Sequence, residues 1–209
     1  MWPLRGDPYP YPYRTQLRSP SMRHFDVETL TPGRWLNGGG ATREIASRPE
    51  TGEFGWRASI ADIDRDGAFS VFPGVDRTLT LVAGNGVLLT SPGAFERLPA
   101  REGEPVVFSG DLDLSAELLD GACRVFNIMV RRGRWTGRVA RVAGPVVPPP
   151  GHAGVLHVLR GRWQAGDSRL VLDGGQGVWW DEHDSASGEG VVPLSPDAVA
   201  LWADLVPTG

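Results

Sequence analysis

Two stretches of this 209-residue chain concentrate the side chains able to do chemistry. The first reads WLNGGGATREIA, Trp35 to Ala46, and the second WRASIADIDRDGAFSVFPGVDR, Trp56 to Arg77. They set Thr42, Arg43, Glu44, Arg57, Ser59 and Arg77 among Trp, Ile and Phe residues. Burying charge costs free energy unless each group is paired or binds something, so this mixture points to a polar pocket or an ion-pair network. Alternate side chains of an extended strand share a face. Arg57 and Ser59 therefore oppose Trp56, Ala58 and Ile60, and Arg77 shares a face with Leu79 and Leu81, which aims it inward. An inward arginine is a fixed cation whose planar fork matches a carboxylate; an internal bridge to Glu44 or Asp111 is the competing role. Thr42 and Glu44 lie on one face, Arg43 and Ile45 on the other, and the pattern leaves open which points in. Ahead of them, Asn37 leads into Gly38, Gly39 and Gly40, either a backbone N–H cradle for an anion or a tight turn. In FNIMVRR, Phe126 to Arg132, the set Asn127, Met129 and Arg131 suits a pocket wall. Phe126, Ile128 and Val130 suit a core, and Arg132 a surface.

Other chemistries find less support. All the basic residues counted as Lys or Arg are arginine, which excludes Schiff-base lysines and a lysine-dependent phosphate loop. The four histidines, His24, His152, His157 and His183, include no His-x-His pair. His157 and His183 are able to meet, yet two imidazoles fall short of the convergent N and O ligands a transition metal needs. No metal and no cofactor are therefore expected. No Gly-x-Ser-x-Gly elbow is present, and Cys123, alone in the chain and set in an apolar stretch, reads as core packing. DIDRD, Asp62 to Asp66, reads as a solvated turn, without the downstream Glu of a calcium loop. A net charge of −4 argues against nucleic acid, and no apolar run reaches the roughly 18–20 residues of a membrane helix. A single cysteine fits a reducing cytoplasm.

The elements that must position these residues are short strands punctuated by Gly and Pro. LTLVAG from Leu79, VLLT from Val87, PVVF from Pro105, VFNIMV from Val125, VLHVL from Val155, RLVL from Arg169 and GVWW from Gly177 all read as strands. One helix is expected over Pro196 to Leu205, with Ser195 as N-cap and Pro196 at the first position. A repeat runs through the chain: FPGVDRTLTLVAG, Phe72 to Gly84, can be laid on PPGHAGVLHVLRG, Pro149 to Gly161. GEPVVFSGD, Gly103 to Asp111, likewise lies on GQGVWWDEHD, Gly175 to Asp184. Residues 1–21, rich in Pro and Tyr, read as a disordered tail with Met22 as an alternative start. Two β units are expected to follow, 22–145 and 146–209, divided at the Pro-rich VVPPPG and packed as one body.

The blocks WLNGGGATREIA, WRASIADIDRDGAFSVFPGVDR and FNIMVRR, with Gly110–Asp111, resemble the HutD/Ves family, bicupin proteins of bacteria associated with histidine utilisation. The resemblance implies an all-β, double-stranded β-helix (jelly-roll) bicupin with few short helices. Val125 departs from the family, which carries an acid before the Phe-Asn pair. The resemblance also implies a non-catalytic, ligand-binding regulatory protein whose partner is a small anion such as urocanate or formylglutamate, with homodimerisation left open. A metal-independent isomerase-like enzyme and a purely structural protein are the rival functions. The candidate ligand-binding set is Asn37, Gly39, Thr42, Arg43, Glu44, Arg57, Ser59, Arg77, Asp111, Asn127, Met129 and Arg131.

Overall fold

The computed structural model describes residues 22–166, 170–184 and 190–209; the expected tail, 1–21, and Arg169 lie outside them. The chain opens with β1 (Arg23–Asp26), β2 (Pro32–Arg34), β3 (Gly40–Arg48), β4 (Trp56–Ile63), β5 (Gly67–Ala68) and β6 (Val75–Ala83). It continues through β7 (Val87–Ser91), β8 (Phe95–Arg97), β9 (Pro105–Ser109), β10 (Ser115–Leu118), β11 (Cys123–Arg131) and β12 (Trp135–Val142). The last strands are β13 (Ala153–Arg160), β14 (Trp163–Ala165), β15 (Leu170–Leu172), β16 (Gln176–Trp180), β17 (Val191–Pro193) and β18 (Val199–Pro207). Between β1 and β2 a single 3-10 turn, Val27–Thr29, is capped by the Asp26 side chain, which accepts from the Glu28 N–H. No helix among the described residues is long and apolar enough to cross a membrane.

Hydrogen bonding sorts these strands into four sheets. A six-stranded sheet, ordered β2-β3-β4-β11-β6-β9, faces a small sheet β5-β10-β7-β8 across a core that includes Ile63, Leu79, Leu81, Leu89 and Val125. A five-stranded sheet, β1-β16-β13-β18-β12, faces β15-β14-β17 across a core built on Leu156, Trp163, Leu172 and Trp180. The two large sheets pack back to back through Trp56, Ile60, Phe126, Ile128, Val155, Leu201 and Leu205. The result is two flattened barrels sharing a central layer of apolar side chains. Strands β4, β6, β11, β13 and β18 are covered on both faces, which explains the apolar residues on both faces of β11, β13 and β18. The sheets exchange material across the Pro-rich segment: β12, before it, and β1, at the start, both pair into the five-stranded sheet.

The expected helix at Pro196 to Leu205 is instead β18. Leu201, Ala203 and Leu205 enter the central layer, whereas Ala200 and Trp202 face the second barrel. Apolar residues on both faces of a central strand resemble a helical stripe, and the cap signals serve a turn. Ser195 carbonyl accepts from the Ala198 N–H at 3.2 Å, and its hydroxyl accepts from the Arg162 N–H at 3.0 Å.

The internal repeat is structural. The orders β4-β11-β6-β9 and β12-β18-β13-β16 correspond strand for strand. Laying β6 on β13 and β9 on β16 as the sequence suggests matches Arg77 with Gly154 and Phe108 with Trp180. The registers agree, since Arg77 stands opposite Phe108 and Gly154 opposite Trp180.

Candidate functional site

The first barrel holds a cavity of about 380 Å³, within the range of small-molecule sites. Its floor is built from the inward faces of β4, β11 and β6, which run side by side. Cross-strand register orders those side chains in rows. Arg57, Met129 and Arg77 form one row, Ser59, Asn127 and Leu79 the next, and Ala61, Val125 and Leu81 the third. The opposite wall comes from Phe69, Ser70 and Phe72, on the connection between β5 and β6, and from Arg34 to Asn37 at the β2–β3 hairpin. Trp35 anchors that hairpin: its indole N–H donates to Thr42 Oγ1 at 2.8 Å and its ring meets Phe69 edge-on. Leu36 next to it is fully exposed at the mouth.

Arg77 dominates the electrostatics. It is 8 % exposed, and no carboxylate among the described residues reaches it. Its Nη1 makes one long bond, 3.4 Å, to the Ser70 carbonyl, and its Nε has no partner. The guanidinium lies 5.1–5.4 Å from the ring centres of Phe69, Phe72 and Phe108. Burial, and then the charge of Arg57, lower its pKa to about 10. A cation held this way is destabilised relative to water and gains strongly from an incoming anion.

The two internal bridges entertained for Arg77 are absent because both acids are engaged elsewhere. Glu44 Oε2 accepts from Arg57 Nε at 2.6 Å. Asp111 accepts from the Gly74 N–H, the Ser109 hydroxyl and Arg132, contacts that hold its carboxyl down at about 2. Of the candidate set, Asn37, Thr42, Arg57, Ser59, Arg77, Asn127 and Met129 line the cavity, with Glu44 touching it through Arg57. The other members lie elsewhere. Arg43 is on the reverse face, where it and Arg124 bind Asp62. Arg131 reaches Glu53 and the Pro73 carbonyl, and Arg132 pairs with Asp76 as well as Asp111. Gly39 serves a turn, because its N–H is taken by Asn37 Oδ1 at 2.9 Å and its carbonyl by Asp64 and Arg65. With the Gly38 N–H bonded to the Trp35 carbonyl, the run offers no anion cradle.

Sequence reasoning missed the three phenylalanines around Arg77. Phe69 and Phe72 were in plain view within AFSVFPG, but an irregular connection has no periodicity to assign their direction. The histidines do not assemble. His152 Nδ1 lies 2.8 Å from Asp204, His157 stacks between Phe25 and Phe126, and His183 is exposed. Among the described residues no group of three or more His, Cys, Asp or Glu is placed to hold a metal ion.

These features sit in a recognisable lineage. The HutD family model matches residues 27–193. The chain belongs to the HutD family. Protein Ves of Citrobacter koseri is 42 % identical over 187 residues, covering 88 % of this chain and 94 % of the relative. HutD from Pseudomonas fluorescens SBW25, solved in a formate condition, superposes with a TM-score of 0.76 at 27 % identity, covering 90 % of this chain and all of that one. A cupin 2 conserved barrel domain protein from Leptotrichia buccalis aligns at a TM-score of 0.54 and 12 % identity, over 89 % of this chain and 96 % of that one. That last likeness speaks to fold alone, and with the paired barrels it makes this HutD-family chain an all-β bicupin.

Proposed function

We propose that this protein is a non-catalytic binder of a small carboxylate, acting in the cytoplasm as a regulator of histidine degradation. An anionic intermediate such as urocanate or formylglutamate is its effector. The observation that carries the reading is Arg77: a buried guanidinium, caged by three aromatic rings, facing a cavity and lacking a carboxylate partner. An arginine fork recognises a carboxylate bidentately, and the apolar surroundings strengthen that attraction. Membership of the HutD family supports the metabolic setting.

The cavity lining supports binding over turnover. Among the described residues it contains no Asp, Glu or His, the usual proton carriers near neutral pH. Glu44 lies outside the lining and is bridged to Arg57 at 2.6 Å.

Titration calorimetry and proton NMR test this directly. Urocanate or formylglutamate is expected to bind saturably and to remain chemically unchanged on long incubation. Arg77→Lys, which keeps the charge but loses the planar fork, is expected to weaken binding about tenfold or more with the fold retained. Conversion of either compound, or unaltered affinity in Arg77→Lys, would overturn the proposal.

A further inference from the structure

We infer that the ligand carries one carboxylate and one uncharged hydrogen-bonding group, and that Ser59 and Asn127 select the latter. This deepens the carboxylate reading of Arg77 and rests on it; of the two effectors named above it selects urocanate, because formylglutamate carries two carboxylates. The first observation is the charge distribution along the floor. Of the two arginines in the first row, Arg57 is already neutralised by Glu44 at 2.6 Å, which leaves Arg77 as the one uncompensated cation of that row. A ligand with a single negative charge completes the balance.

The second observation is the neighbouring row. Ser59 is 1 % exposed and Asn127 is 7 % exposed, and they stand directly opposite each other on β4 and β11. Ser59 Oγ and Asn127 Oδ1 are both buried without a hydrogen-bond partner among the described residues. Buried polar atoms are normally satisfied, and leaving one unpaired is costly. Rotation about the short Ser59 and Asn127 side-chain bonds turns these groups toward the cavity that they line. A hydroxyl, amide or ring N–H offers what each needs, because the Asn amide both donates and accepts and a hydroxyl does the same.

Spacing and charge then define the ligand's shape. Successive rows are two residues apart, about 7 Å along the strands, and the arginine side chain shortens the span to be bridged. A second carboxylate is disfavoured at this level. No cation stands in the row Ser59, Asn127 and Leu79 to receive it.

Three compounds of equal chain length separate these features: butyrate, succinamate and succinate. Calorimetry on the full chain is expected to rank succinamate at least about tenfold above butyrate, a hydrogen bond's worth, and above succinate. The five-carbon set of pentanoate, glutaramate and glutarate controls for length. Asn127→Leu and Ser59→Ala are each expected to reduce the ratio of succinamate to butyrate affinity. Ser59→Ala removes a single oxygen and guards against a folding failure in the other variant. Equal affinities across each set, a preference for the dicarboxylate, or a preference that survives both substitutions would overturn this inference and leave the carboxylate role of Arg77 standing. Failure of every compound to bind, or undiminished butyrate binding to Arg77→Leu, would instead bring down the carboxylate reading and this one with it.

Discussion

His157 shows how one residue type can be tuned away from function. It is 4 % exposed in the central layer, with ring centres 6.1 Å from Phe25 and 5.9 Å from Phe126 and its plane nearly parallel to both. Burial, then the charge of Arg124, lower its pKa from 6.5 to about 4. The folded state therefore holds it neutral, and the unfolded chain takes up its proton first. The associated stability is complete above pH 6.5 and is lost as pH falls toward 4, a contribution of about 3 kcal/mol. His157→Phe removes this term. Urea denaturation at pH 7.5 and 4.5 should show wild type losing more stability than the variant, and parallel losses would refute the assignment. Arg77 was legible in sequence, since alternation with Leu79 and Leu81 fixed its direction. Its lack of a partner was not, because whether Glu44 and Asp111 reach it depends on where Arg57 and Arg132 fall in three dimensions.

At the scale of elements, register does the work. The three rows on β4, β11 and β6 place cationic, neutral polar and apolar side chains in sequence along one floor, and their faces followed from alternation alone. The order of strands did not, because antiparallel neighbours distant in sequence are set by packing. The misread helix at Pro196 has the same origin: only the presence of β12 and β13 on either side makes Val199–Pro207 a central strand. Where β13 and β16 meet, the Trp180 indole lies against Gly154. A Cβ on Gly154 would lie 2.3 Å from Trp180 Cζ2 and 2.8 Å from the Ala203 carbonyl oxygen. Gly154→Ala is accordingly expected to cost about 1–3 kcal/mol through overpacking, readable as a lowered urea midpoint with an unchanged slope. A neutral outcome would mean that the indole has room to move.

At the scale of the whole molecule, the two barrels fill corresponding positions differently. The row Arg57–Met129–Arg77 corresponds to Arg138–Asp204–Gly154 in the second barrel, by the same registers. There the buried cation is replaced by glycine and filled by Trp180, and Asp204 takes the place of Met129 and bonds His152. The bicupin plan was readable from the repeat and from the family resemblance. This asymmetry was not, because it lies in which side chain fills the space above Gly154. It leads to one carboxylate site per chain, and calorimetric titration of urocanate into wild type and Arg77→Leu, with urea stability measured on both, tests that most directly. One site per chain is expected in wild type and none in the variant. The variant's stability is expected to be unchanged or raised, since replacing a buried charge by leucine strands no carboxylate. Undiminished binding in Arg77→Leu, or a loss of about 3–5 kcal/mol as for a broken buried ion pair, would contradict it.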